Sequence, residues 1–437
     1  MSALLYTLGA FALILVLARL KVPLAAAILV GTIAIGAVFG LGAGQIAAAL
    51  AHSAVAPKTI VLAALVAVLL TLSNTMREAG QLEEIVALTA ALLRRPVLAM
   101  AALPAVVGMV PMPGGALFSA PMVKTAAGDA QVGGATLSAA NYWYRHIWEH
   151  WWPLYPGVIL AASESGRPLG TFMLTLLPLG LFMVLSGLPI LRHAQRGLPP
   201  RTARPGPGTL GKLLRATSSI WVIMLLWAAG KVALHLLGPV GGTGPMAETL
   251  RKYAPVTLGL LVSIAWTVRL NRTSASVLAK VLRLRSLYVL VAVVAAVMIF
   301  SFMLGRTGAP GRIADELEQL HVPVAAVVAL LPFIAGLVTG IAVGFVGASF
   351  PIVMGLVTGL DGGPNIWPYV VLAYACGHLG MMLSPLHVCH VVSNRFFETG
   401  FPPVYRRILP AAAIMGALAL GYSLLLQVGL NGLPFGR

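Results

Sequence analysis

The chain has 437 residues, of which 59% are apolar and only 9% charged, with a mean hydropathy of +0.93. Soluble domains carry about 25% charged residues, so a water-soluble fold is excluded. The net charge of +17 does not read as a nucleic-acid footprint, because the lysines and arginines are scattered among short loops without a basic stripe or aromatic interleaving. Cys376 and Cys389 share one apolar segment and read as packing residues.

Apolar runs of about 20 residues, the length that crosses a hydrocarbon core, recur along the whole chain. In order, spans are expected at 3–19, 23–41, 59–76, 138–162 and 170–191, then at 218–238, 254–270, 286–305, 367–392 and 407–429. The start of the chain has no basic n-region or evident cleavage site, so the first run is expected to be a retained span. Two further apolar stretches, 96–127 and 322–357, are interrupted by Pro111-Met-Pro-Gly-Gly115 and by Gly347-Ala-Ser-Phe-Pro351. Proline and glycine break helices, so each stretch is expected to form a re-entrant hairpin. Residues 192–217, basic and rich in proline and glycine, form the expected linker between two halves, 1–191 and 218–437.

Basic short loops are retained in the cytoplasm. Placing the linker there puts most of the 29 lysines and arginines inside, among them Arg94, and leaves both termini outside. The first hairpin then enters from the cytoplasm and the second from outside.

The halves are also related residue by residue. Gly108, Gly115, Phe118, Asp129, Tyr142, His146 and Pro153 recur 232 positions later as Gly340, Gly347, Phe350, Asp361, Tyr374, His378 and Pro385. Upstream, Ser73/Ser301 and Gly80/Gly308 keep an offset of 228. Because each half has an odd number of spans, the copies must lie antiparallel in the bilayer. The expected fold is therefore all-α and integral to the membrane, two inverted-topology repeats, each of five transmembrane helices and one re-entrant hairpin. In such folds the site lies near the midplane where interrupted helices meet.

Half-helix N-termini favour anions, and glycine lets backbone approach a ligand. Pro113, Gly114, Gly115 and Ser119 in the first hairpin, and Gly347 and Ser349 in the second, are the candidate substrate contacts there. The next segment, Asn141-Tyr-Trp-Tyr-Arg-His-Ile-Trp-Glu-His-Trp-Trp-Pro153, adds Asn141. It spaces Arg145 from Glu149, and His146 from His150, by four residues, so each pair is expected to share a helical face, with Pro153 and Pro156-Gly157 breaking the span behind them. An Arg145–Glu149 ion pair is the plain structural alternative. Ionisable groups inside a membrane are costly and usually functional. His146, Glu149 and His378 are the expected proton-coupling set, and Ser384 and His387, beside Pro385, complete the substrate set. His146-Ile-Trp-Glu149-His150 also fits the H-x-x-E-H pattern of zinc peptidases. At the offset of 232, however, Glu149 and His150 become Met381 and Met382. No metal or other cofactor is expected.

These features resemble the ion-transporter superfamily of secondary carriers, which includes gluconate, citrate and C4-dicarboxylate permeases. Within it, Pro111–Ser119, Asn141–His146 and Trp152-Pro-Leu-Tyr-Pro156 are similar to an uncharacterised family of unknown function. The resemblance implies a homodimer of elevator-type carriers in the cell inner membrane, in which hairpins and broken helices move against a scaffold. Ser73-Asn-Thr75 lies at the end of a scaffold span and not in a hairpin tip, where dicarboxylate carriers hold Ser-Asn-Thr. The expected activity is proton-coupled transport of a small carboxylate-type anion, not enzymatic catalysis. An exchanger of inorganic ions or of sodium for protons, a channel and a membrane zinc protease are the alternatives.

Overall fold

The computed structural model describes residues 2–93, 95–112, 114–128, 132–195, 206–238, 242–360 and 365–429. Pro113, Arg94, the Asp129/Asp361 pair and positions 196–205 of the expected linker lie outside the described residues.

Every regular element among the described residues is helical. The first half holds α1 (Ser2–Arg19), α2 (Leu24–Val38), α3 (Ala43–Ala54), α4 (Pro57–Glu78), α5 (Gln81–Leu92), α6 (Pro96–Gly108), α7 (Ala116–Ala127), α8 (Gly134–Arg145), α9 (Pro156–Glu164), α10 (Leu169–Ser186) and α11 (Leu188–Gln195). There follow α12 (Thr209–Ala216), α13 (Ser218–Leu237), α14 (Pro245–Leu270), α15 (Ala275–Leu282), α16 (Arg285–Arg306) and α17 (Ala309–Gln319). The chain continues with α18 (Val324–Thr339), α19 (Ala342–Thr358), α20 (Trp367–Leu383), α21 (Val388–Phe396) and α22 (Phe401–Gly429). The starts of α4 and α16, of α5 and α17, and of α6 and α18 are each 228 positions apart. Both α5 and α17 follow a left-handed glycine, Gly80 at φ 71° and Gly308 at φ 65°, a conformation that costs glycine little.

Among the described residues, seven helical stretches are long and apolar enough to cross a membrane, and five shorter apolar helices accompany them. Leu174, Leu236 and Leu425 are 72%, 76% and 71% exposed, a surface that water would penalise and lipid does not. The chain is a multi-pass membrane protein.

The structure departs from the sequence expectations at several places. The span expected at 138–162 is divided, since α8 stops at Arg145 and 146–155 runs in turns to α9. Pro153 and Pro156 cannot continue a helix, and three aromatic side chains of the stretch 146–155 serve α6. Trp148 Nε1 donates to the Ala105 carbonyl at 2.7 Å, Trp152 Nε1 to that of Met109 at 3.0 Å, and the Tyr155 hydroxyl to that of Gly108 at 2.5 Å. Carbonyls at a helix end have no partner within the helix, and these side chains supply it. As a second departure, His146 and His150 do not share a helical face, because no helix joins them. The third concerns the second hairpin, which breaks at Gly340-Ile341 and not at 347–351; α19 runs unbroken through Gly347 and Ser349. The stretch Val343-Gly-Phe-Val-Gly347 lacks the prolines of Pro111-Met-Pro-Gly-Gly115, so helix resumes directly after Gly340. The expected linker is not wholly irregular either, since it contains α12.

The N-terminal helix is tied to α17. The backbone N–H groups of Ala3 and Leu4 donate to Glu316 Oε1 and Oε2 at 3.0 and 2.9 Å, a carboxylate on the positive end of α1. Burial raises the Glu316 pKa, but the hydrogen bonds at the start of α1 outweigh it and hold the carboxyl below its ordinary range. A lowered folded-state pKa means that this contribution is complete above the ordinary carboxyl pKa and is lost as pH falls through the folded one. Glu316→Ala is expected to destabilise the protein by about 1 kcal/mol at neutral pH and by less in acid. Thermal unfolding of the detergent-solubilised protein at both pH values checks this.

Candidate functional site

A cavity of about 440 Å³ opens where the helix breaks of the two halves meet. One wall is Leu70 of α4 with Arg285, Val289 and Leu290 of α16. The facing wall is built from Pro111, Met112 and Gly114 at the α6–α7 break, Gly340 and Ile341 at the α18–α19 break, and the turns carrying Arg145, Glu149 and His387. The first residues of four helices border it: Pro156 and Gly157 of α9, Arg285 and Ser286 of α16, Ala342 and Val343 of α19, and Val388 and Cys389 of α21. Helix N-termini carry partial positive charge and unpaired N–H groups.

Arg145 is the charged centre of this wall. It is 2% exposed. Its Nη2 donates to the Met112 carbonyl at 2.9 Å, while Nε and Nη1 are buried without a hydrogen-bond partner. Gly115 makes room for the guanidinium, since a Cβ there would lie 2.3 Å from Nη2. With Ser73 Oγ donating to the Pro111 carbonyl at 2.6 Å, two adjacent carbonyls within the first break are held by side chains. The Arg145–Glu149 ion pair considered from the sequence is not formed. The guanidinium turns to Met112, and the carboxylate faces histidines.

Those histidines pair across the two halves, but not as the repeat suggested. His146 Nδ1 lies 2.6 Å from the Tyr142 carbonyl and must donate to it, and Nε2 is 3.0 Å from Nε2 of His387. His378 packs instead on His150, with ring centroids 3.9 Å apart. Glu149 lies between the two pairs, its Oε1 3.9 Å from His146 Nε2 and its Oε2 4.0 Å from His378 Nε2. These separations exceed a hydrogen bond but keep the charge close to both rings. His390 stacks on Tyr142 at 4.5 Å, and the Tyr142 hydroxyl caps α20 through the Met382 carbonyl at 3.0 Å.

Of the sequence-predicted substrate contacts, Gly114 and His387 line the cavity and Gly115 stands directly behind Arg145. Asn141 does not reach the wall; its Nδ2 donates to the Ala116 carbonyl at 3.2 Å and to Ser393 Oγ at 2.8 Å, joining α7 to α21. Ser119 is buried one turn into α7, its Oγ 3.5 Å from the Ala116 carbonyl. Ser384 Oγ donates to the Leu337 carbonyl at 2.7 Å and so closes the end of α18. Gly347 and Ser349 lie elsewhere. A Cβ on Gly347 would meet Val297 of α16 at 2.6 Å, and Ser349 Oγ donates within its own helix to Phe345 at 2.6 Å. Sequence reasoning missed the cavity-lining roles of Arg285 and Cys389. No motif marks the first. The second stood beside His387 and was read as packing because its segment is apolar.

A family model described as a protein of unknown function, DUF401, matches residues 1–204 and 249–426. No curated protein matches the chain. Among solved structures, the chain is similar to the YdaH transporter of Alcanivorax borkumensis, described as having an unusual topology. The likeness covers 91% of each chain at 15% identity, with a TM-score of 0.46.

Proposed function

We propose that this chain, which belongs to the DUF401 family of proteins of unknown function, is a secondary carrier of a small carboxylate-type anion across the cell inner membrane. The observation that carries the reading is the buried Arg145, with Nε and Nη1 left without a hydrogen-bond partner, in a cavity bordered by the N-terminal residues of four helices. An unpaired buried guanidinium is costly, and an anion in the cavity supplies its missing partner. The volume suits a small organic acid. One face of the cavity belongs to α4 and α16 and the other to the broken helices, the division that an elevator motion of two inverted repeats against a scaffold requires. A homodimer with both termini outside completes this reading, as the resemblance to ion-transporter carriers implies.

Coupling to protons rests on His146, Glu149 and His378. Glu149 Oε1 and Oε2 lie 3.9 and 4.0 Å from the two imidazoles, so the carboxylate charge favours uptake of a proton by this group as the anion arrives. In liposomes, uptake of labelled carboxylates under an imposed proton gradient is expected to be saturable and gradient-driven. The His146→Ala/His378→Ala double variant is expected to retain counterflow exchange and lose at least about tenfold of gradient-driven accumulation. Unchanged accumulation in the double variant overturns the coupling. Failure of wild-type protein to move any carboxylate, in a panel of organic acids, sugar acids and dicarboxylates, overturns the carrier reading.

A further inference from the structure

His146, His387 and Cys389 bring three metal-ligating atoms together at the joint between the two halves. The atoms lie within 4.8 Å of one another and all three residues are buried. In a tetrahedral zinc site, bond lengths of 2.0–2.1 Å to nitrogen and 2.3 Å to sulfur put nitrogens about 3.3 Å apart and nitrogen about 3.6 Å from sulfur. The two Nε2 atoms, 3.0 Å apart, already have this spacing. The sulfur has to close by about 1 Å, a movement within the range of a change in its single side-chain torsion.

Two further observations point to a ligand at this place. His146 is oriented as metal-bound imidazoles are, its Nδ1–H given to the Tyr142 carbonyl at 2.6 Å, which leaves the Nε2 lone pair facing His387. In addition, His387 Nδ1 and both ring nitrogens of His378 are buried without hydrogen-bond partners. Buried polar groups are normally satisfied, so this interior is built for something besides packing. Glu149 stands outside this group of three, but its Oε1, 3.9 Å from His146 Nε2, comes within reach as a fourth ligand when its side chain rotates. The set is distinct from the H-x-x-E-H pattern, because His150 turns to His378 and takes no part.

We propose that His146, His387 and Cys389, with Glu149 as fourth ligand, form a binding site for a zinc-class divalent cation. Binding moves the proton on His387 Nε2 to the unpartnered Nδ1 of the same ring and releases the Cys389 thiol proton to solvent. His146 Nε2 and the Glu149 carboxylate serve both the metal and the coupling proton, so the two compete. The site stands on these ligand atoms alone and does not depend on which anion is carried.

The test is a titration of chelator-stripped, full-length protein in detergent with Co²⁺ as the probe. One Co²⁺ per chain is expected, with a thiolate-to-cobalt charge-transfer band and the visible bands of tetrahedral cobalt, both removed by equimolar Zn²⁺. Cys389→Ser is expected to abolish the charge-transfer band and Cys376→Ser to leave it intact. His387→Gln is expected to weaken binding at least about tenfold. Absence of saturable one-to-one binding overturns the proposal, as does a charge-transfer band that persists in Cys389→Ser. Should His387→Gln fail to fold, the two serine variants, which change one atom each, still decide. No anion enters the titration, so a negative result leaves the carrier reading untouched, and absent transport leaves the metal site untouched.

Discussion

Arg145→Ala is expected to abolish the stabilisation that a bound carboxylate gives the protein, lowering affinity by roughly 100-fold or more. The arithmetic follows from the unpaired Nε and Nη1. Hydrogen bonds to charged groups contribute about 1.5–3 kcal/mol each, and 1.4 kcal/mol is about a factor of ten in affinity. Arg145→Lys keeps the charge but not the planar fork, and a point charge cannot hold the Met112 carbonyl and a carboxylate with the same geometry. It is expected to recover only part of the loss. Arg285 lines the same cavity but is exposed, where solvent screens its charge. Arg285→Ala is therefore expected to weaken binding only a few-fold, and more so at low salt. Ligand-induced thermal shifts measure all three, because a ligand that binds only the native state raises its stability. A full shift retained in Arg145→Ala places the anion elsewhere.

The second large effect is on folding. Gly380→Ala is expected to destabilise the protein by roughly 3 kcal/mol or more, at or beyond the upper end of ordinary overpacking. Helices α18 and α20 cross in close contact. A Cβ on Gly380 would lie 2.0 Å from the Phe333 carbonyl oxygen, and one on Gly336 would lie 2.2 Å from that of Gly377. Both obstacles are backbone, so no rotamer change relieves them. Lipid gives helices no hydrophobic reason to associate, and close backbone approach over small residues is what holds them together. Gly421→Ala in α22, where a Cβ meets nothing within 4 Å, is the matched control. It is expected to be neutral or to gain up to about 1 kcal/mol of helix propensity. Size-exclusion profile and melting temperature in detergent separate the two.

Much of the helical order was legible because lipid-facing spans must be apolar over a defined length. What hydropathy does not see are the short amphipathic helices α3, α5, α15 and α17. In α17, Asp315, Glu316 and Glu318 interrupt the apolar run, and its place follows from contacts with α1 and α19. The first hairpin break was readable from Pro111-Met-Pro-Gly-Gly115, whose residues forbid helix. Its counterpart was misplaced by transferring position without transferring chemistry. Gly340, the partner of Gly108, carries the left-handed turn at φ 64°, whereas Pro351 is accommodated inside α19.

For the site, sequence reading found His146 and His387 individually and could not pair them. Equivalence by repeat joins His146 to His378, but spatial neighbours are set by how α8 and α21 cross, which no offset encodes. Asn141 and Ser384 were expected to be substrate contacts. Their hydrogen bonds to Ala116 and Leu337 show that a break consumes polar side chains for its own carbonyls before any are left for a ligand. The aromatic run 148–155 is the same lesson at larger scale, since it tempts one toward a binding surface and is spent on the end of α6.

The two breaks are unequal in length, residues 109–115 against 340–341, so the two related halves do not give the cavity the same wall. The first brings the Met112 carbonyl, which accepts from Arg145 Nη2, and the second brings only the corner Gly340-Ile341. The cavity is therefore chemically lopsided, with its buried guanidinium on the side of the first break.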